Sequence, residues 1–334
     1  MNWNTLRQLA PLPGRQPDFA ACLAAFPQLE LAKTTPQHPV YHAEGDVWTH
    51  TMMVVEALLD MPAYGEISRE QQETVFLAVL LHDVAKCSTT VIDPVTGAIG
   101  QPGHSRKGAL DARIALWDYA VPFAVREAIC RLINVHQVPF FALETSRRGV
   151  TPEYTVRELS WQVDIRLLAM LAEADIRGRI CPEPQRVLDA IELFRELARE
   201  DGCYGQRRAF ADDHTRVKYF RGADVHPDYA LYQEPGSRVI VMSGLPASGK
   251  NTWVEQHHPR LPVVSFDDAR QALGLRHGKN EGQVGDYAEE RARELLRRNG
   301  QRDTSLSNKK LQAMLWNWEI PLPQEAHGVY YEAS

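Results

Sequence analysis

The sequence predicts a multidomain fold, an all-α bundle followed by an α/β domain built on a parallel sheet. Three observations predict it. The chain has 334 residues, too many for one ordinary domain and about right for two. Up to about residue 200, long amphipathic stretches are separated by Pro, Gly and Asp breaks, and β-branched alternation is scarce. Beyond residue 237, "RVIVMSG" and "LPVVSFDD" are short β-branched runs that end in loops.

The elements follow in order. Asp46 is placed to cap a helix over 46–60, with His50 in its first turns. Further helices are expected near 70–86, 106–119, 122–137, 156–177 and 184–200. Residues 203–237 are mixed and polar without a clear period, and read as a connector with local structure. The expected division is a bundle over 1–210, a connector over 211–236 and the α/β domain over 237–334.

Composition narrows the function. Apolar residues make up 44% and charged residues 24%, which suits a soluble globular protein. No apolar run approaches the roughly 20 residues of a membrane span, and Met1–Pro11 lacks the pattern of a secretion signal. The five cysteines are odd in number, widely spaced and without a CxxC, so a reducing cytoplasm is expected rather than a disulfide scaffold or zinc knuckle. A net charge of −6 excludes a general nucleic-acid coat and leaves only a local basic patch for such contact.

The chemistry-bearing residues of the first half lie on apolar faces. Ile129, Leu132 and Ile133 precede His136 at helical spacing, and Leu168, Leu171 and Ala172 precede Asp175 in the same way. His82 and Asp83 close the apolar stretch "VFLAVLLHDVAK". A lone histidine on such a stripe is ordinarily a hydrogen-bonded core residue, and a lone buried aspartate a cap or ion-pair partner. Several together are hard to explain as packing, because a buried carboxylate is costly unless it is paired or binds a metal.

The order His50, His82–Asp83, Asp175 resembles the signature of the HD-domain metal-dependent phosphohydrolases. "GDVWTHTMMVVEA", "LLHDVAK" and "EADIRGR" are especially similar to the HD domain appended to bacterial tRNA nucleotidyltransferases, over about residues 36–200, although no nucleotidyltransferase motif precedes them. The resemblance implies metal ligation by His50, His82, Asp83 and Asp175, with His104 and His136 matching the two further histidines of binuclear members. Such ligands suit Mn, Fe, Co, Ni or Zn rather than Mg alone. Lys86, one turn after Asp83, is a candidate to hold a phosphoryl oxygen, the alternative being a solvated helix-end lysine; Lys107 is a weaker candidate of the same kind. His42 and Glu44 read as structural by default.

In the second half, "RVIVMSGLPASGKNTW" is a strand running into Gly244-x4-Gly249-Lys250 and then, by pattern, a helix, which is the context of a phosphate loop. Its backbone N–H groups and Lys250 would cradle the phosphates of ATP or another nucleoside triphosphate with Mg, alongside Ser248. Asn251 stands where a Ser or Thr should bind Mg, and Thr252 follows one residue late. The alternative is a glycine-rich turn without ligand. "GLPASGKNTW" followed by "DDAR" resembles the P-loop polynucleotide 5′-kinases. That resemblance implies Asp267 as general base, Arg270 on the substrate phosphate, and Arg298 and Arg302 in a lid. Asp267 or Asp268 would otherwise simply cap its helix. Few residues follow Gly244 for such a kinase, and a segment on the order of 40 residues is expected to be missing near 300–302.

Together the two resemblances imply a bifunctional end-healing enzyme. The first half would remove a 2′,3′-cyclic, 2′- or 3′-phosphate, and the second would phosphorylate a 5′-hydroxyl. RNA or DNA ends and a nucleoside triphosphate are the expected partners, with a functional link to an RNA ligase. The alternatives are a nucleotide phosphohydrolase with a regulatory P-loop domain, and a tether in which a weak second half holds nucleic acid.

Overall fold

The computed structural model describes residues 2–141, 150–233, 240–243, 249–261, 263–275, 283, 284 and 287. The chain divides between Tyr229 and Ala230 into two compact units.

The larger unit is helical: α1 (Phe19–Ala25), α2 (Val47–Leu59), α3 (Arg69–Leu81), α4 (His104–Asp118), α5 (Phe123–Val135), α6 (Pro152–Ser160), α7 (Ile165–Arg177), α8 (Pro184–Glu200) and α9 (Asp213–Phe220). A two-residue hairpin, β1 (Val91–Ile92) with β2 (Ile99–Gly100), lies between α3 and α4; Val91 faces Gly100 and Ile92 faces Ile99.

The core is organised around α3. Its residues from Gln72 to Leu81 are all buried, because the run from Val75 to Leu81 is apolar on every side and can only be accommodated inside a bundle. Helices α2, α5 and α7 pack directly on α3, with α4 on α5 and α8 on α7. Phe76, Leu77, Leu80, Ile129, Leu168 and Leu171 are among the side chains this arrangement withdraws from water, each contributing about 1.5–3 kcal/mol of transfer free energy.

Local chemistry sets the helix ends. Asp46 caps α2 as expected, its carboxylate accepting from the Thr49 N–H at 2.8 Å. At Ser68, side chain and backbone form a capping box with Gln71 that starts α3. Two helices are shorter than the sequence predicts. The one expected over 70–86 stops at Leu81, and a tight turn carries His82 to Ala85 before a single helical turn at Lys86–Thr89. The one expected over 156–177 is two helices, because Asp164 accepts from the Arg166 N–H and starts α7 afresh.

The expected fold class, an all-α HD bundle followed by an α/β P-loop kinase domain, requires correction. The β1–β2 hairpin is the only strand pairing beyond an isolated bridge between Pro36 and Asp46, and no parallel sheet exists among the described residues. Ile240–Ser243 and Val263–Ser265, where strands were expected, carry none. Val241, Val263 and Val264 remain substantially exposed, whereas parallel strands are buried on both faces. β-branched residues favour a strand only where neighbouring strands and covering helices supply the pleated, half-buried surface. The described part of the smaller unit is instead helical, with α10 (Lys250–His257) and α11 (Phe266–Leu273).

No helix among the described residues is long and apolar enough to cross a membrane. All five cysteines are free thiols.

Candidate metal centre

The six expected ligands come together at one end of the central helix. His50 projects from α2 and Asp175 from α7. His82 and Asp83 sit in the turn after α3, His136 just past the end of α5, and His104 at the start of α4. All are buried, His50, His82 and His136 completely. They form two groups whose ligand atoms lie within 4.8 Å of one another: His50, His82 and Asp175, and Asp83, His104 and His136.

Asp83 joins the groups. Its Oδ2 lies 3.5 Å from His50 Nε2 and 3.1 Å from His82 Nε2, while its Oδ1 lies 3.5 Å from His104 Nε2. Asp175 Oδ1 is 3.2 Å from His50 Nε2. The rings of His82 and His136 stand 5.3 Å apart, and those of His104 and His136 5.5 Å apart.

Helix ends fix the tautomers. The Nδ1–H of His82 donates to Val79 O at 2.7 Å, that of His136 to Ile133 O at 2.7 Å, and that of His104 to Gln101 O at 2.8 Å. Each acceptor is the carbonyl three residues back, and for His82 and His136 it belongs to the last turn of a helix, where carbonyls lack an intrahelical partner. A carbonyl can only accept, so Nδ1 carries the proton and Nε2 presents its lone pair to the centre. His50 Nδ1–H is shared between Glu44 Oε1 at 2.9 Å and Gly178 O at 3.2 Å.

The electrostatics agree. Burial works to raise the Asp83 and Asp175 carboxyls, but His82 and Lys86 beside the first and Arg179 beside the second hold both well below the usual carboxylate range. Burial lowers His104 and pushes His136 down to about 3. His82 is pulled down by burial but raised overall by the adjoining Asp83. Asp83 Oδ2 is met by the Lys86 ammonium at 2.7 Å, but despite their burial Nε2 of His50, His82 and His136, Asp83 Oδ1 and Asp175 Oδ2 have no hydrogen-bond partner among the described residues. Buried polar atoms are rarely left so. Ionised carboxylates with imidazole lone pairs directed at a common point are the donor set of a divalent transition metal. The arrangement fits the HD-type site expected from the sequence.

Lys86 is buried, which removes the alternative of a solvated helix end. Its ammonium lies 2.7 Å from Asp83 Oδ2, 2.7 Å from Gln37 Oε1 and 3.5 Å from His42 Nε2. Lys107 instead pairs with Asp111 on the outside of α4 at 2.7 Å. An open depression of about 400 Å³, lined by Lys33, Pro36, Gln37, His42 and Asp46 among others, shares Gln37 and His42 with the Lys86 cluster.

Four residues at the centre escaped the sequence reading. His42 and Glu44, read as structural, brace it: Glu44 Oε1 accepts from His42 Nδ1–H at 2.8 Å as well as from His50, and Oε2 accepts from the Ile180 N–H at 2.8 Å. Burial holds His42 at about 4. The "HAEGD" run just before the capped helix was the available signal. Arg179 donates from Nη2 to Asp175 Oδ1 at 2.6 Å, and its i+4 spacing from Asp175 could have shown it. Gln37 has no local signal.

The phosphate-loop residues are not gathered into a site among the described residues. Gly244, Ser248, Arg298, Arg302 and the segment expected to be missing near 300–302 lie outside them. Gly249 caps α10 at φ +80°, and Lys250, Asn251 and Thr252 form its first turn. Asp267 is largely exposed and pairs with Arg270 at 2.7 Å, one turn on along α11. Ser265, rather than Asp267 or Asp268, caps that helix.

No family model matches the chain. Comparison with curated proteins does find relatives. The chain is distantly similar to multifunctional CCA proteins. It is 32% identical over 148 residues to the multifunctional CCA protein of Halorhodospira halophila, covering 42% of this chain and 33% of that protein. With that of Thioalkalivibrio sulfidiphilus it shares 28% over 169 residues, 48% of this chain and 37% of the relative. It is 33% identical over 111 residues to the CC-adding tRNA nucleotidyltransferase of Thermus thermophilus, 33% of this chain and 24% of that one. The chain thus spans about a quarter to two fifths of the length of these relatives.

Proposed function

We propose that the larger unit is an HD-type metal-dependent phosphohydrolase acting on phosphate esters at RNA ends, with 2′,3′-cyclic, 2′- or 3′-phosphates as substrates. One observation carries the reading: buried imidazole nitrogens and carboxylate oxygens converge in two groups joined by Asp83, and Nε2 of His50, His82 and His136, Asp83 Oδ1 and Asp175 Oδ2 have no hydrogen-bond partner among the described residues. The names of the relatives, CCA protein and tRNA nucleotidyltransferase, favour an RNA end over a free nucleotide.

His50, His82 and Asp175 would hold one ion and His104 and His136 a second, with Asp83 between them. A divalent transition metal bound there supplies Lewis acidity, which makes water nucleophilic at neutral pH and offsets phosphate charge. The chain's own residues do the rest. Asp83 and Asp175 remain ionised, and burial holds His104 and His136 neutral, so these donors are ready without rearrangement. Lys86 places a buried positive charge beside Asp83, where it would attract the anionic ester. Gln37 and His42 orient that ammonium, and the depression they line gives the nucleoside a path to it. Kinase activity forms no part of this proposal, since the parallel sheet it needs is not found among the described residues.

Phosphate release from RNA ending in a 2′,3′-cyclic phosphate, measured with Mn(II) against EDTA, tests the reading. Metal-dependent release is expected, and Asp83→Ala should lose at least about 1,000-fold, on the scale by which such electrostatic groups accelerate reactions. Equal turnover with and without metal would refute it. Turnover confined to free nucleotides would move the substrate class from RNA ends to nucleotide pools.

A further inference from the structure

Helix α4 turns one side inward and leaves the other uncovered. His104, Gly108, Ala112 and Leu116 are buried on the side that packs on α5 and on the single turn at Lys86–Thr89. The opposite side carries Arg106, Leu110, Ile114, Trp117 and Asp118 at helical spacing, all of them exposed. Leu110 is 50% exposed, Trp117 59% and Ile114 66%. Large apolar side chains exposed singly are ordinary, but three along one stripe, where a surface helix should be polar, mark a contact. Trp117 is also held in place. The Arg126 guanidinium carbon, from α5, lies 4.4 Å from the centre of its ring, so little side-chain freedom is left to lose on docking. The end charges do not suit a lone helix. Arg106 and Lys107 lie in the first turn of α4, where the dipole disfavours cations, and Asp118 closes the last, where it disfavours anions.

We propose that this stripe is a self-association surface, α4 packing antiparallel on α4 of a second copy of the chain about a twofold axis level with Ala112. Leu110 and Ile114 each stand two residues from Ala112, and Arg106 and Asp118 each six. Reversal about that level sets Leu110 against Ile114 of the second copy and Arg106 against its Asp118. Each contact occurs twice, as an isologous interface requires. Lys107 and Trp117 each stand five residues from Ala112, so a second cation is offered to each Trp117 ring. Every misplaced end charge then meets an opposite one. A parallel pair would instead set Arg106 on Arg106 and Asp118 on Asp118. A nucleic acid is a poorer occupant, because Leu110 and Ile114 have no π face to stack on a base and Asp111 and Asp118 oppose a phosphate backbone. One pair of helices covers less than a standard interface, so the dimer is a weak one. His104 opens α4 from its buried side, and the pair therefore carries a metal centre at either end. The proposal is independent of the reaction.

The test is sedimentation equilibrium of the full chain as wild type, Ile114→Glu, Arg106→Asp, Asp118→Arg and the double exchange Arg106→Asp/Asp118→Arg, each checked for helical content by circular dichroism. The substituted side chains are exposed, so the fold should survive. Wild type is expected to dimerise as concentration rises. Ile114→Glu should weaken the dimer at least about tenfold, as loss of a central apolar contact does. Either single exchange sets like charges together and should weaken it roughly three- to tenfold, and the double exchange should recover most of the wild-type affinity. A wild-type chain that stays monomeric into the high-micromolar range would overturn the proposal. So would a dimer indifferent to Ile114→Glu, or one in which the double exchange recovers nothing. RNA binding by a monomeric wild type that is lost in Trp117→Ala would give the stripe to nucleic acid instead. Should Ile114→Glu misfold, the charge exchanges decide alone.

Discussion

Glu44 holds three groups with one carboxylate: the metal-facing His50, the His42 that touches Lys86, and the backbone of Ile180 just beyond Asp175. Burial raises its carboxyl, yet the hydrogen bonds from His42 and His50 outweigh burial and hold it far below the ordinary glutamate range, so it is an anion throughout the working pH range. An anion on Nδ1 strengthens the lone pair on Nε2 and keeps the ring aimed. Glu44→Gln preserves shape but removes that charge. The expected outcome in a competition titration with a chelator is metal affinity weakened on the order of 10–100-fold with the fold intact. Unchanged affinity would reduce Glu44 to a structural clasp. Residue-scale reading of the sequence found the ligands better than their supports. His136 and Asp175 announce themselves by apolar neighbours at helical spacing, whereas Gln37 reaches Lys86 across 49 positions and has no periodic signature.

At the scale of elements, the centre depends on how closely α2 approaches the end of α7. Gly178 caps α7, and a Cβ there would lie 2.5 Å from the Val54 nitrogen and 2.6 Å from its Cα. The backbone itself adopts an ordinary negative φ, so glycine is required by proximity rather than by conformation. The same contact lets Gly178 O accept from His50 at 3.2 Å. Gly178→Ala must therefore push two ligand-bearing helices apart. The expected cost is about 1–3 kcal/mol, read as a lowered Tm, accompanied by weaker metal binding. Full stability and affinity would mean that α2 and α7 can separate without disturbing the site. The early end of α3 belongs to this scale too. A helix continuing to residue 86, as periodicity suggests, would place His82 and Asp83 on successive directions 100° apart; the tight turn instead directs His82 Nε2 and Asp83 Oδ2 to within 3.1 Å of each other. Apolar spacing does not reveal such a turn, because the residues on both sides of it are equally buried.

Across the whole molecule, the ligands converge because the elements that bear them share one support. Helices α2, α5 and α7 all pack on α3, and α4 reaches it through α5, so ligands 125 positions apart in sequence, from His50 to Asp175, meet at one end of the bundle. That convergence was legible as an order of residues, His, His-Asp, Asp, and the geometry gives it a physical basis. The second half was misread for the opposite reason. "RVIVMSG" and "VVSFDD" have the composition of strands, but a strand exists only with a partner, and Val241 and Val263 remain about half exposed without one. Of the expected phosphate-loop glycines, Gly249 lies among the described residues, where it caps α10, and Gly244 lies outside them. The central claim is that one inorganic centre is held jointly by six side chains, with Asp83 common to both groups. Elemental analysis of purified, dialysed protein beside Asp83→Ala tests it most directly. The account predicts at least one tightly bound divalent transition ion per wild-type chain and none in a folded Asp83→Ala; a folded variant retaining the wild-type metal content would contradict it.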